Sequence, residues 1–169
     1  MAQTVRIVRP QRTGMTEKAR TAAFLEIIRP LGYYTEVEEN YDWSVHIQQN
    51  AGSQKYAVVW ADEEDEPIYT INGRPYYCQV FFHFIWDDKQ QGNEKMNSDM
   101  VLAITAAYMK QYPDALFNFE ECSADNMFLD RHDIDTVTAR PFVQDWFRSF
   151  RGHLRSESVN GSRTDWTLM

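Results

Sequence analysis

Two cysteines, four histidines and seven glycines are all that 169 residues contain of those types. Cys78 and Cys122 lie far apart, and neither belongs to a Cys-x-x-Cys or Cys/His pair with zinc spacing. They read as two reduced, buried thiols; a disulfide between them is allowed but nothing in the spacing selects it. No run approaches the about 18 consecutive apolar residues of a membrane span. The first residues, "MAQTVRIVRPQRTG", lack the apolar block of roughly 7–15 residues that marks a secretory signal. These absences point to a cytoplasmic protein with no membrane contact. A P-loop, a GxGxxG turn, an HExxH helix and a GxSxG elbow are also missing, so the commonest signatures of phosphate, dinucleotide, zinc-protease and serine-hydrolase chemistry are absent. No cofactor is implied. Repeats and low-complexity tracts are likewise absent.

What the chain does have is apolar material and acid. Hydrophobic residues make up 43% and aromatics 14%, enough for a packed core in one domain. The net charge is −8, and its distribution is uneven. Residues 1–31 carry six Arg or Lys and two Glu. Residues 33–135 carry twenty acids against six bases, and residues 136–169 carry five Arg and three acids. An acidic middle with mildly basic ends disfavours direct nucleic-acid binding, which needs a basic stripe through the core elements.

The pattern along the chain is that of an α+β domain over 1–154, followed by a polar tail, 155–169, with the composition of a flexible segment. "TVRIVR" alternates like a strand before Pro10 and Gly14 break it. "MTEKARTAAFLEIIRPLG" predicts a helix capped by Thr16 and ended by Pro30 and Gly32. Strand signals follow at 33–39, 42–48, 54–60 and 67–71. In "DWSVHIQ", Trp43, Val45 and Ile47 alternate with polar partners, giving one dry and one wet face. Asn72-Gly73 supplies the positive φ angles of a tight hairpin. It leads into "RPYYCQVFFHFIW", where Tyr76, Cys78, Val80, Phe82, Phe84 and Trp86 share one face of a central strand. A second helix is expected over 97–112, capped by Asn97 or Ser98. Two short strands at 115–121 and 126–130 precede a third helix, "PFVQDWFRSFRGHL", with an apolar stripe at helical spacing. The expected fold is an antiparallel meander of about five to seven strands, with about three helices mainly on one face.

The most chemical-looking string is "DRHDID", where His132 stands among Asp130, Asp133 and Asp135. A hydrolase could use such a His-Asp set. A polar turn with aspartate caps explains the same residues. His83, inside an apolar strand, could serve as a general base, but a histidine so placed is more often a satisfied core or face residue of the sheet. Neither cysteine has the flanks of a nucleophile. No calcium-loop or other metal-ligand spacing occurs.

The remaining feature is the run Asp62, Glu63, Glu64, Asp65 and Glu66 between two strand signals. As a solvated loop it would keep apolar strands from pairing between molecules. Joined by Glu36, Glu38, Asp42, Asp87 and Asp88, it would form a field that steers and holds a cationic partner. Tyr and Trp residues interleaved with acids rather than with Lys or Arg suit a protein-binding face. In size, α+β pattern and acidic, aromatic-rich middle, the whole chain resembles the small acidic immunity proteins that bacteria co-produce with toxins. That resemblance is one of profile and rests on no motif. It implies a non-enzymatic inhibitor that covers the basic site of a cognate toxin or effector, as a monomer or a homodimer. The alternatives are a hydrolase using His132 with Asp130, Asp133 or Asp135, or His83, and an effector-specific adaptor or chaperone.

Overall fold

The computed structural model describes residues 2–48, 50–51, 55–85, 94–119, 127–141, 154–155 and 158–159. Its strands are β1 (Ala2–Arg9), β2 (Tyr34–Val37), β3 (Val45–Gln48), β4 (Lys55–Trp60), β5 (Tyr69–Ile71), β6 (Arg74–Ile85), β7 (Leu116–Phe119), β8 (Met127–Phe128), β9 (Leu154–Arg155) and β10 (Ser158–Val159). The helices are α1 (Glu17–Ile28), α2 (Glu94–Gln111) and α3 (Arg131–Ala139). Eight strands form one sheet, antiparallel at every pairing, and β8 and β9 form a small second one. The expected α+β fold with helices on one face is present.

The sheet meanders through β2, β3 and β4, but β1 is inserted between β6 and β7. The twelve-residue β6 is the spine. One edge pairs with β1 along most of its length; the other takes β5 at Arg74–Tyr76 and β4 at Phe81–Phe84. The chain between β4 and β5, which holds the acidic run, therefore has to travel along that edge. At the β5–β6 hairpin Asn72 and Gly73 have φ of 52° and 74°, as the dipeptide predicts.

The helix-side core gathers Val5, Ile7, Val45, Ile47, Val59, Val80 and Phe82 from the sheet. Phe24 and Ile28 of α1, Ile104 and Met109 of α2, and Ile134 and Val137 of α3 pack against them. Alternation explains the choice: β3 reads buried, half-buried, buried, half-buried. Phe82 is fully buried here, so truncation to Ala would cost about 3–5 kcal/mol. A smaller cluster on the opposite face joins Val8, Ile68, Tyr69, Ile71, Leu116 and Phe128. One extra residue in β6 separates the Ile7–Val80 and Val8–Cys78 pairs. This bulge at Gln79 moves Tyr76 to the smaller cluster and away from Val80 and Phe82, contrary to the expected shared face.

Local signals account for the helix ends. The Thr16 hydroxyl accepts from the Ala19 amide at 3.2 Å, and Gly32 takes the left-handed position after a 3-10 turn at Arg29–Leu31. Helix α2 begins at Glu94, so Asn97 and Ser98 lie within it rather than capping it. The expected third helix falls on residues outside the described ones, save for Pro141 and for Leu154, which is in β9. Among the described residues a third helix, α3, occupies the stretch expected to be a polar turn. The tail also contributes strands: Arg155 pairs with Met127, and Ser158–Val159 pair with β5.

Candidate functional site

Strand register assembles the acids. Val37 pairs with Val45 and Val45 with Val59, so the end of β2, the start of β3 and the end of β4 lie side by side. Glu38, Glu39, Asp42 and Asp62 follow or precede those ends and share one rim of the sheet. The β2–β3 connection is tightly held. The Glu38 carbonyl accepts from the amides of Tyr41 (3.2 Å) and Trp43 (3.1 Å), and the Glu38 amide donates to the Ser44 carbonyl (2.9 Å). Asp42 accepts from the Ser44 amide (3.0 Å) and from the Trp60 indole N–H (3.1 Å), pinning the loop to β4. The hydrogen bond from Ser44, joined by that from Trp60, outweighs the opposing effect of burial and keeps the Asp42 carboxyl below the usual carboxylate range. Trp43 has φ of 57°, a left-handed conformation uncommon for a bulky side chain. At the tip of this fixed loop Tyr41 is 89% exposed, far more than any other large apolar side chain described.

The rest of the acidic set is divided. Glu36 lies on the exposed face of β2 and accepts from the Tyr34 hydroxyl at 2.9 Å; Glu38 is 3.7 Å from the His46 imidazole. Asp62 and Glu66 are exposed and Glu64 is half-buried. Asp65 is exposed but ion-paired with Arg12 at 2.7 Å. Asp87 and Asp88 lie outside the described residues. Glu63 requires a correction: it does not face a partner. Its side chain is 1% exposed, and it accepts from the Thr13 amide (2.6 Å), the Thr13 hydroxyl (2.7 Å) and the Gly14 amide (3.1 Å). Burial pushes its carboxyl up, but bonds from Thr13, Gly14 and Gln79 outweigh this and leave it lowered. The loop from β1 to α1 presents the Thr13 and Gly14 amides, and Glu63 turns inward to accept from them.

The string around His132 is the N-terminus of α3. Asp130 accepts from the Asp133 amide (2.9 Å), and Asp133 accepts from the Asp130 amide (3.1 Å), a reciprocal capping box. This accounts for the Asp-x-x-Asp spacing through the helix start alone. His132 and Asp135 are exposed on the first turns. His83 is exposed on the face opposite the helices, rather than buried. Cys78 is buried, and Cys122 lies outside the described residues. Among the described residues no three His, Cys, Asp or Glu side chains are placed to hold a metal ion, and no helix is long and apolar enough to cross a membrane. A shallow cleft lies over α1, lined by Met15, Arg20, Phe24, Tyr108 and Tyr112 among others.

No protein-family model, curated protein or solved structure gives a significant match to this chain. Its site must therefore be judged on its own geometry. Two members of it escape a reading of the charge pattern. Tyr41 is one of many aromatics in the acidic middle; its signal is its place between Asn40 and Asp42, in a connection too short to return the ring to the core. Arg12, which neutralises Asp65, belongs to a distant basic segment and carries no local signal.

Proposed function

We propose that this protein is a non-enzymatic binding module that recognises a basic protein through the acidic rim around Tyr41. The form we favour is a stoichiometric inhibitor of a cognate toxin or effector enzyme, in the manner of the immunity proteins that the chain resembles. The observation that carries this reading is an almost fully exposed tyrosine on a loop with little freedom. An aromatic ring with few rotatable bonds, carried on a backbone that is already held in place, costs little conformational entropy to bury, which is why tyrosine anchors so many interfaces. Glu38, Glu39 and Asp62 around it would raise the encounter rate with a cationic surface and reject an acidic one.

A photo-crosslinking amino acid placed at Tyr41 in the organism of origin tests the proposal. One dominant adduct with a basic protein is expected, and it should vanish when Glu38, Glu39 and Asp62 are replaced by Lys. Crosslinking to acidic or random proteins, or none at all, would overturn it.

A further inference from the structure

We infer that the outer edge of β2 accepts an extended cationic segment of the partner as an added strand. The inference rests on the binding-module reading above and names the contact by which the basic protein is held.

The edge is defined by register. Glu38 donates to Ser44 across the β2–β3 pair. Hydrogen-bonded and non-bonded pairs alternate along an antiparallel ladder, so Glu36–His46 and Tyr34–Gln48 are the next bonded pairs. The amides and carbonyls of Thr35 and Val37 consequently point away from β3. Among the described residues no strand covers that side of β2, whereas β7 is bridged to Leu129 and β5 is covered by β10. An open row of backbone donors and acceptors is a template for strand addition.

Charge selects the occupant. Tyr34, Glu36 and Glu38 fall on one face of β2, where the Tyr34 hydroxyl already donates to Glu36. Side chains of an added strand stand beside them at cross-strand distance. Lys or Arg at alternate positions of that strand would each meet Glu36 or Glu38. A second copy of this chain is disfavoured, because pairing β2 with β2 sets glutamates against glutamates on molecules of net charge −8.

The experiment uses the 15N-labelled full chain and three capped peptides. One alternates arginine with threonine, one has the same composition with the arginines in a block, and one is the alternating peptide N-methylated on alternate amides. The alternating peptide should bind about tenfold more tightly than either control. It should shift and protect the Thr35 and Val37 amides, and Glu36→Lys with Glu38→Lys should abolish binding. Val37→Pro, which removes an outward donor that an edge strand can spare, should do the same while preserving the spectrum elsewhere. Where that variant fails to fold, the N-methylated peptide decides alone. Equal binding of all three peptides, shifts confined to the Tyr41 loop, no binding, or self-association through β2 would each overturn strand addition. The crosslink at Tyr41 would survive those outcomes if only the edge assignment is wrong, and would be lost with it if the binding-module reading is wrong.

Discussion

Glu63 accepts from both the amide and the hydroxyl of Thr13, at 2.6 and 2.7 Å, and so ties the acidic loop to the β1–α1 connection fifty residues earlier. Glu63→Ala would remove the three charge-assisted hydrogen bonds that Thr13 and Gly14 donate, at a cost of about 2 kcal/mol. Chemical denaturation at neutral pH should show the loss, and Asp62→Ala, on an exposed neighbour, should change stability by less than about 0.5 kcal/mol.

The same carboxylate makes stability depend on pH. Its folded pKa lies below the unfolded value, which is about 4.3. The contribution is therefore complete above that value and is lost as pH falls through the lower folded one. Glu63→Gln should be less stable than the parent near pH 7, and the gap should close on acidification below about pH 4. A gap that stayed constant from neutral to acid pH would show that the charge contributes nothing.

The turn between β5 and β6 gives a backbone test. Gly73 has φ of 74° with open space around the position a Cβ would take. Gly73→Ala thus isolates conformational strain from steric clash, and should cost about 1 kcal/mol. For a chain of this size that is a fall in Tm of roughly 2–4 °C, measurable by circular dichroism.

Much of this fold was legible because its signals are local. The alternation in Val45–Gln48 marks a strand with one buried face, and Asn72-Gly73 marks a hairpin by its own conformational preference. The insertion of β1 between β6 and β7 was not legible, since it depends on pairings more than seventy residues apart, such as Val5 with Phe82. Helix α3 was hidden for another reason. Only Ile134 and Val137 face the core from its nine residues, too few for a helical period, and its capping aspartates imitate a catalytic cluster. Glu63 shows the limit most sharply: five adjacent carboxylates are alike in sequence, and only the distant amides of Thr13 and Gly14 single one out.

The aspartates of α3 and the histidine between them should separate in experiment. Asp130→Ala removes the N-cap and should cost about 1 kcal/mol. His132→Ala removes an exposed side chain and should leave stability within about 0.5 kcal/mol, with partner affinity unchanged. A loss of turnover on any substrate in the His132 variant would instead restore the hydrolase alternative.

The rim and its tyrosine should act on different phases of binding. Charges reach the partner before contact, whereas a ring contributes only once its surface is desolvated. Replacing Glu39 and Asp62 by Lys, with Glu63 left in place to hold the loop, should slow association roughly tenfold at low salt and flatten its salt dependence, with little change in dissociation. Tyr41→Ala should leave association nearly unaltered and speed dissociation about thirtyfold, the equivalent of about 2 kcal/mol for an interface anchor. Stopped-flow and surface-plasmon measurements on the crosslinked partner distinguish the two. If both variants changed only the association rate, Tyr41 would lie outside the contact, and the rigid loop that carries it would need a different explanation.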